Sequence, residues 1–110
     1  MDFPRIGERL RNEAPYLDLE LECLCGYSFN DRVSYVGEIH PREIPFEGER
    51  VYAWRDTPIC DKCGIRLHIE TRLWTYPDDN IIYIGFEETR VCTVLNKKTI
   101  YDKLGFTPAA

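Results

Sequence analysis

The chain has little of what most catalytic sites are built from. It holds two histidines in 110 residues, and with so few no nucleophile–base set assembles. There is no glycine-rich phosphate loop. The apolar run Ile81-Ile82-Tyr83-Ile84 is far short of a membrane-spanning helix. No basic segment followed by an apolar run occurs at the start, where Asp2, Arg5, Glu8 and Arg9 fall. The expectation is therefore a cytoplasmic protein without a secretory signal. Basic charge is also scarce: 14 Lys and Arg against 19 Asp and Glu leave a formal charge of −5, a poor match for nonspecific phosphate binding. Neither a low-complexity stretch nor an internal repeat interrupts the chain, so 1–110 reads as one domain.

What is present is cysteine in pairs. Cys23-Leu24-Cys25-Gly26 and Cys60-Asp61-Lys62-Cys63-Gly64 each place two thiols on a tight turn and a glycine directly after it. Glycine there suits a backbone with positive φ. Zinc takes four soft ligands in a tetrahedron, and two distant pairs supply them. The site expected is one Zn2+ held by Cys23, Cys25, Cys60 and Cys63, with His40, His68 or Cys92 as candidates to replace one of the four. Paired thiols in a reducing compartment point to metal rather than disulfides. A fifth cysteine, Cys92 in Val91-Cys92-Thr93-Val94, reads as a small buried thiol.

Around the pairs the pattern is mostly that of strands. Phe3, Ile6 and Leu10 predict a short helix over 3–14, capped by Asp2, with Pro4 in its first turn and Pro15 ending it; Arg5, Arg9 and Arg11 fall on its outer face. Leu17, Leu19 and Leu21 alternate with Asp18, Glu20 and Glu22, a half-buried strand running into Cys23 and needing a bend at Leu24. A strand leaves the first pair, interrupted near Asn30-Asp31; 37–50 reads as a loop; Val51–Trp54 reads as a strand. Ile65, Leu67, Ile69, Thr71 and Leu73 oppose Arg66, His68, Glu70, Arg72, Trp74 and Tyr76, and Ile81–Phe86 returns after a turn at 77–80. The 65–86 hairpin is expected at the centre of the sheet. A strand over 90–95 and a helix over 99–105 follow, the latter opened by a Thr99–Asp102 capping box and ended by Gly105. The fold class is mainly β, an antiparallel zinc-ribbon-like sheet over 16–95 with short helices near the termini.

The two glycine-followed pairs, with a long hairpin after the second, resemble those of zinc-ribbon proteins. The resemblance implies a closed structural metal site and a non-catalytic role. The layout over 20–90 is also loosely similar to CpXC domains, although neither pair here contains the proline. Cys25-Gly26-Tyr27-Ser28-Phe29 resembles a rubredoxin knuckle one residue short, which implies iron and electron transfer as an alternative. His40-Pro41-Arg42-Glu43 with Pro58-Ile59-Cys60 and Cys63 resembles the zinc deaminase pattern displaced by one residue, and implies a further, enzymatic alternative.

The leading expectation is a small acidic interaction module, an adaptor or an inhibitor of a protein partner, of the kind phages and mobile elements use as regulators. Arg66, Arg72, Trp74 and Tyr76 share one face in strand phase, and aromatics beside arginines are enriched at interface anchors. The same face on a transcription or replication ribbon implies nucleic acid as the alternative partner. The acidic row Asp18, Glu20 and Glu22 is a second candidate surface, suited to a basic protein.

Overall fold

The computed structural model describes residues 6–42, 46–87 and 92–108. A short helix, α1 (Ile6–Glu13), leads into strands β1 (Tyr16–Cys23), β2 (Ser28–Ile39), β3 (Arg50–Asp56), β4 (Ile69–Thr75), β5 (Ile81–Glu87) and β6 (Cys92–Val94), and a second helix, α2 (Lys97–Leu104), follows. The strands form one antiparallel sheet in the order β5-β4-β3-β2-β1-β6. The class is mainly β with two short helices, as the alternating sequence predicts. The expected helix residues Asp2, Phe3, Pro4 and Arg5 lie outside the described residues, as do 88–91 and Glu43.

The leucine row of β1 is fully buried while its acidic row faces solvent, the plain consequence of a period of two on a sheet with one covered face. Those leucines join Val33, Tyr52, Trp54, Leu67, Ile69, Leu73 and Ile84 in one core. Trp54 is completely buried, donates its indole N–H to the Ala14 carbonyl at 2.7 Å and lies 5.4 Å from the Tyr35 ring. The bond ties the end of α1 to the middle of the sheet. Ile6 and Leu10 bury the inner stripe of α1, and Ile100 and Leu104 that of α2.

Several elements depart from the expected boundaries. β2 runs unbroken through Asn30 and Asp31 and on to Ile39, so the loop expected from residue 37 starts only after it. Polar residues are tolerated at 30 and 31 because β1 pairs with both, Glu20 opposite Asn30 and Leu19 opposite Asp31. The glycine that suggested a loop, Gly37, is instead part of a bulge opposite β3, at φ 94°. β4 begins at Ile69 rather than Ile65. Residues 65–68 are drawn off the sheet by the second cysteine turn, through an Ile59–Arg66 bridge and an N–H bond from Leu67 to the Pro58 carbonyl of 2.8 Å. Ile65, expected in the core, is therefore exposed, whereas Leu67, Ile69 and Leu73 are buried with Leu19 and Leu21. The β4–β5 hairpin lies at one side of the sheet, with β5 at its edge; β3 and β2 are central. Helix α2 opens two residues before the expected start. No Thr99–Asp102 capping box forms, because both residues sit inside the helix. The cap position belongs to Asn96, whose side chain is used elsewhere: it accepts from the Glu20 N–H at 2.9 Å and donates to the Asp18 carbonyl at 3.0 Å. The amide thereby continues the short β6 ladder along β1. Gly105 ends the helix at φ 73°, as predicted.

Candidate functional site

Two features of the sheet bring the cysteines together. In an antiparallel meander the β1–β2 and β3–β4 connections fall at the same end, and these are the connections that carry the two pairs. Each pair then closes its own turn. Gly26 N–H meets the Cys23 carbonyl at 2.8 Å, and Cys23 N–H the Tyr27 carbonyl at 2.9 Å. Gly64 N–H meets the Cys60 carbonyl at 2.8 Å, and Cys60 N–H the Ile65 carbonyl at 2.9 Å. The first loop closes over one residue fewer than the second, which is why one pair has a single spacer and the other two. Gly26 and Gly64 sit at φ 91° and 76°, where an L side chain is strained. The bend required at Leu24 is present, and it leaves that leucine 75% exposed.

All four ligand sulfurs lie within 4.8 Å of one another. Cys23 Sγ stands 3.6 Å from Cys63 Sγ, and Cys25 Sγ stands 3.7 Å from Cys60 Sγ. A tetrahedron with metal–sulfur bonds near 2.3 Å has edges of about 3.8 Å. The group can hold a metal ion, and a tetrahedral four-sulfur set suits zinc or iron. Each turn contributes one buried thiol, Cys23 or Cys60, and one exposed thiol, Cys25 or Cys63. The Cys63 N–H, then opposed by burial and aided by the Lys62 N–H, brings Cys60 down to about 7. The Cys25 N–H favours the Cys23 thiolate too, but burial and the crowding sulfurs of Cys25, Cys63 and Cys60 outweigh it and push that thiol up to about 12. Four thiolates this close need a cation to remain charged together.

None of the three possible substitutes joins the group. Cys92 is buried opposite Cys23 in the β1–β6 register, which fits its expected place as a core thiol. His40 is beside Glu38, with 3.8 Å between Nε2 and a carboxylate oxygen. His68 is exposed, next to Arg55, Asp56 and Glu70. The Cys60–Cys63 turn opens no helix, unlike the pattern its deaminase resemblance implies.

The expected partner face is divided. Arg72 and Trp74 lie on the outward side of β4 and Tyr76 stands just past its end, but Arg66 lies before the strand, in the cysteine turn, with its guanidinium 3.4 Å from the Thr57 carbonyl. Arg72 is largely spoken for, meeting Glu70 at 2.8 Å and Glu87 at 3.3 Å. Trp74 is half-buried, covered by Arg42, whose guanidinium lies 5.5 Å from its ring centroid and 5.0 Å from that of Phe46. Tyr76 is exposed. Periodicity along β4 alone did not reveal Phe46, Ile82 and Tyr83, all more than half exposed on this side. A bulge between Trp74 and Thr75 inserts Ile82 without a partner, so two consecutive large side chains face solvent.

One further polar pair is visible only in three dimensions. Asp31 and Asp56 face each other on the inner side of β2 and β3. Burial, then the hydrogen bond and charge of Asp56, push Asp31 up to about 7, and one of its carboxylate oxygens is buried without a partner.

Among the described residues no helix is long and apolar enough to cross a membrane. Neither protein-family descriptions, nor curated proteins, nor solved structures give a match to this chain.

Proposed function

We propose that the protein is a non-catalytic, zinc-ribbon-like interaction module of the cytoplasm, in which one Zn2+ bound by Cys23, Cys25, Cys60 and Cys63 fixes the fold and the β4 face engages a protein partner. The observation that carries the metal half is the convergence of four thiols at tetrahedral spacing. With all four positions taken by protein sulfur, such a site leaves none for water or substrate, which supports a structural role. Native mass spectrometry of the purified chain, with and without chelator, tests it. One zinc per chain is expected; iron, or a folded protein without metal, overturns the assignment.

The partner half rests on Trp74, Tyr76, Phe46, Ile82 and Tyr83 standing together on one exposed side, a composition typical of interface anchors. A protein is favoured over a nucleic acid. The net charge is −5, and Arg72, the cation best placed to meet a phosphate, is already neutralised by two carboxylates. Affinity capture with tagged protein should therefore survive moderate salt. Binding through several phosphates would collapse as salt rises.

A further inference from the structure

The end of the sheet opposite the cysteines carries a second arrangement. There the 46–49 loop and the 77–80 turn are tied by an Asp78 N–H bond of 3.0 Å to the Gly48 carbonyl. Beside them lies an open groove of about 650 Å3, lined by Phe46, Glu47, Glu49, Tyr76 and Ile82. Its walls are two aromatic rings and an isoleucine, 61%, 47% and 52% exposed. Glu49 is mostly covered and pairs with Arg42 at 3.1 Å. Glu47 makes no ion pair with any described residue.

The wall already demonstrates the chemistry that such a set favours. The Arg42 guanidinium is held against Phe46 and Trp74 while Glu49 meets its charge. Rings attract a cation over their faces, and a carboxylate at the rim adds a charge-assisted hydrogen bond. Phe46 and Tyr76, with Glu47 in the same lining, offer the same combination to a group from outside. An anion would face the uncompensated Glu47 carboxylate, and a purely apolar segment would desolvate it without return.

We propose that this groove takes an arginine or lysine side chain from an extended segment of the partner protein. The inference rests on the partner-binding reading above and assigns that partner its chemistry.

The test is an amide chemical-shift titration of the metal-loaded full chain with acetyl-Leu-Arg-Leu-Arg-Leu-amide and with the same peptide carrying citrulline, the neutral isostere, in place of arginine. The arginine peptide should produce saturable shifts at Phe46, Glu47, Tyr76 and Ile82, and the citrulline peptide should bind about tenfold more weakly. Glu47→Lys and Tyr76→Ala should each remove the response while leaving the Cys23 and Cys60 amides in place. Equal binding of the two peptides overturns the proposal, since the groove is then merely apolar. So do unmoved groove signals, or shifts that follow protein concentration alone, which would identify the occupant as a second copy. The two readings separate by outcome. If the peptide fails while capture of a partner still depends on Trp74, only the basic ligand is lost. If capture is also indifferent to Trp74, the partner face itself falls.

Discussion

Asp31 shows how one residue sets a condition for the whole fold. Its carboxyl titrates near 7 in the folded protein against 3.8 ordinarily, because burial and Asp56 both disfavour its charge. Between those values the folded state holds a proton that the unfolded chain releases. The associated stability is fully present below pH 3.8, declines as pH rises and is gone once pH passes about 7. Asp31→Asn should abolish that decline. Denaturation midpoints of the zinc-saturated protein, compared between about pH 5.5 and about pH 8.5, should fall for the parent and stay level for the variant. A parallel decline in both would assign the pH dependence to another group. Gly64 sets a different kind of condition. Its Cβ would meet open space, so the obstacle is φ 76° alone. Gly64→Ala should cost about 1 kcal/mol and lower the melting temperature by a few degrees while one metal per chain is retained, as read by calorimetry and metal analysis.

At the scale of the element, the β4–β5 hairpin carries two surfaces with different duties. The inward side, Ile69, Thr71, Leu73 and Thr75, is buried, and the outward side holds the ion pairs of Arg72 and the ring of Trp74. Replacing both Trp74 and Arg72 with alanine should spare the fold and the metal but weaken partner capture, with each lost anchor worth about 2 kcal/mol. Circular dichroism separates the outcomes: a variant that unfolds would place this face in the core and move the search to the exposed acidic row of β1. The hairpin also shows where periodicity stops being informative. Alternation from Ile65 to Tyr76 is continuous in sequence, yet pairing starts at Ile69, because the Cys60 turn claims Ile65 for its own hydrogen bond. In β2 the opposite happens: Asn30, Asp31 and Gly37 look like interruptions, but pairing with β1 carries the strand through Asn30 and Asp31, and pairing with β3 carries it through Gly37.

For the molecule as a whole, the meander puts the four-cysteine group and the groove at opposite ends of the same sheet. Chelation should therefore affect them unequally. A structural zinc contributes on the order of 10 kcal/mol in small modules, comparable to the entire stability of a domain. Removing it should loosen residues 24–25 and 61–66 of the two turns first, because these are the exposed parts, whereas Cys23, Cys60 and Leu67 are buried. Trp54, Leu19 and Leu73 lie in a core that includes no ligand except through the flanking strands. In native mass spectra the chelated chain should appear metal-free with a broadened charge distribution. An unchanged charge distribution would mean that the core alone holds the fold.

The sequence by itself determined the parts that depend on local chemistry. The leucine row of β1 specifies its buried face through the period of two. The cysteine pairs with their glycines specify two metal-ready turns, and Gly105 specifies the end of α2, since few other residues adopt φ 73° without strain. Only the tertiary structure decided which residues meet. The convergence of Cys23 with Cys63 and of Cys25 with Cys60 follows from the strand order. So do the Asp31–Asp56 pair and the gathering of Phe46, Tyr76 and Ile82 around one groove. Residues far apart in the chain become neighbours through hydrogen-bonded register and bulges. Those depend on which strands win the competition for partners, and no single segment encodes that result.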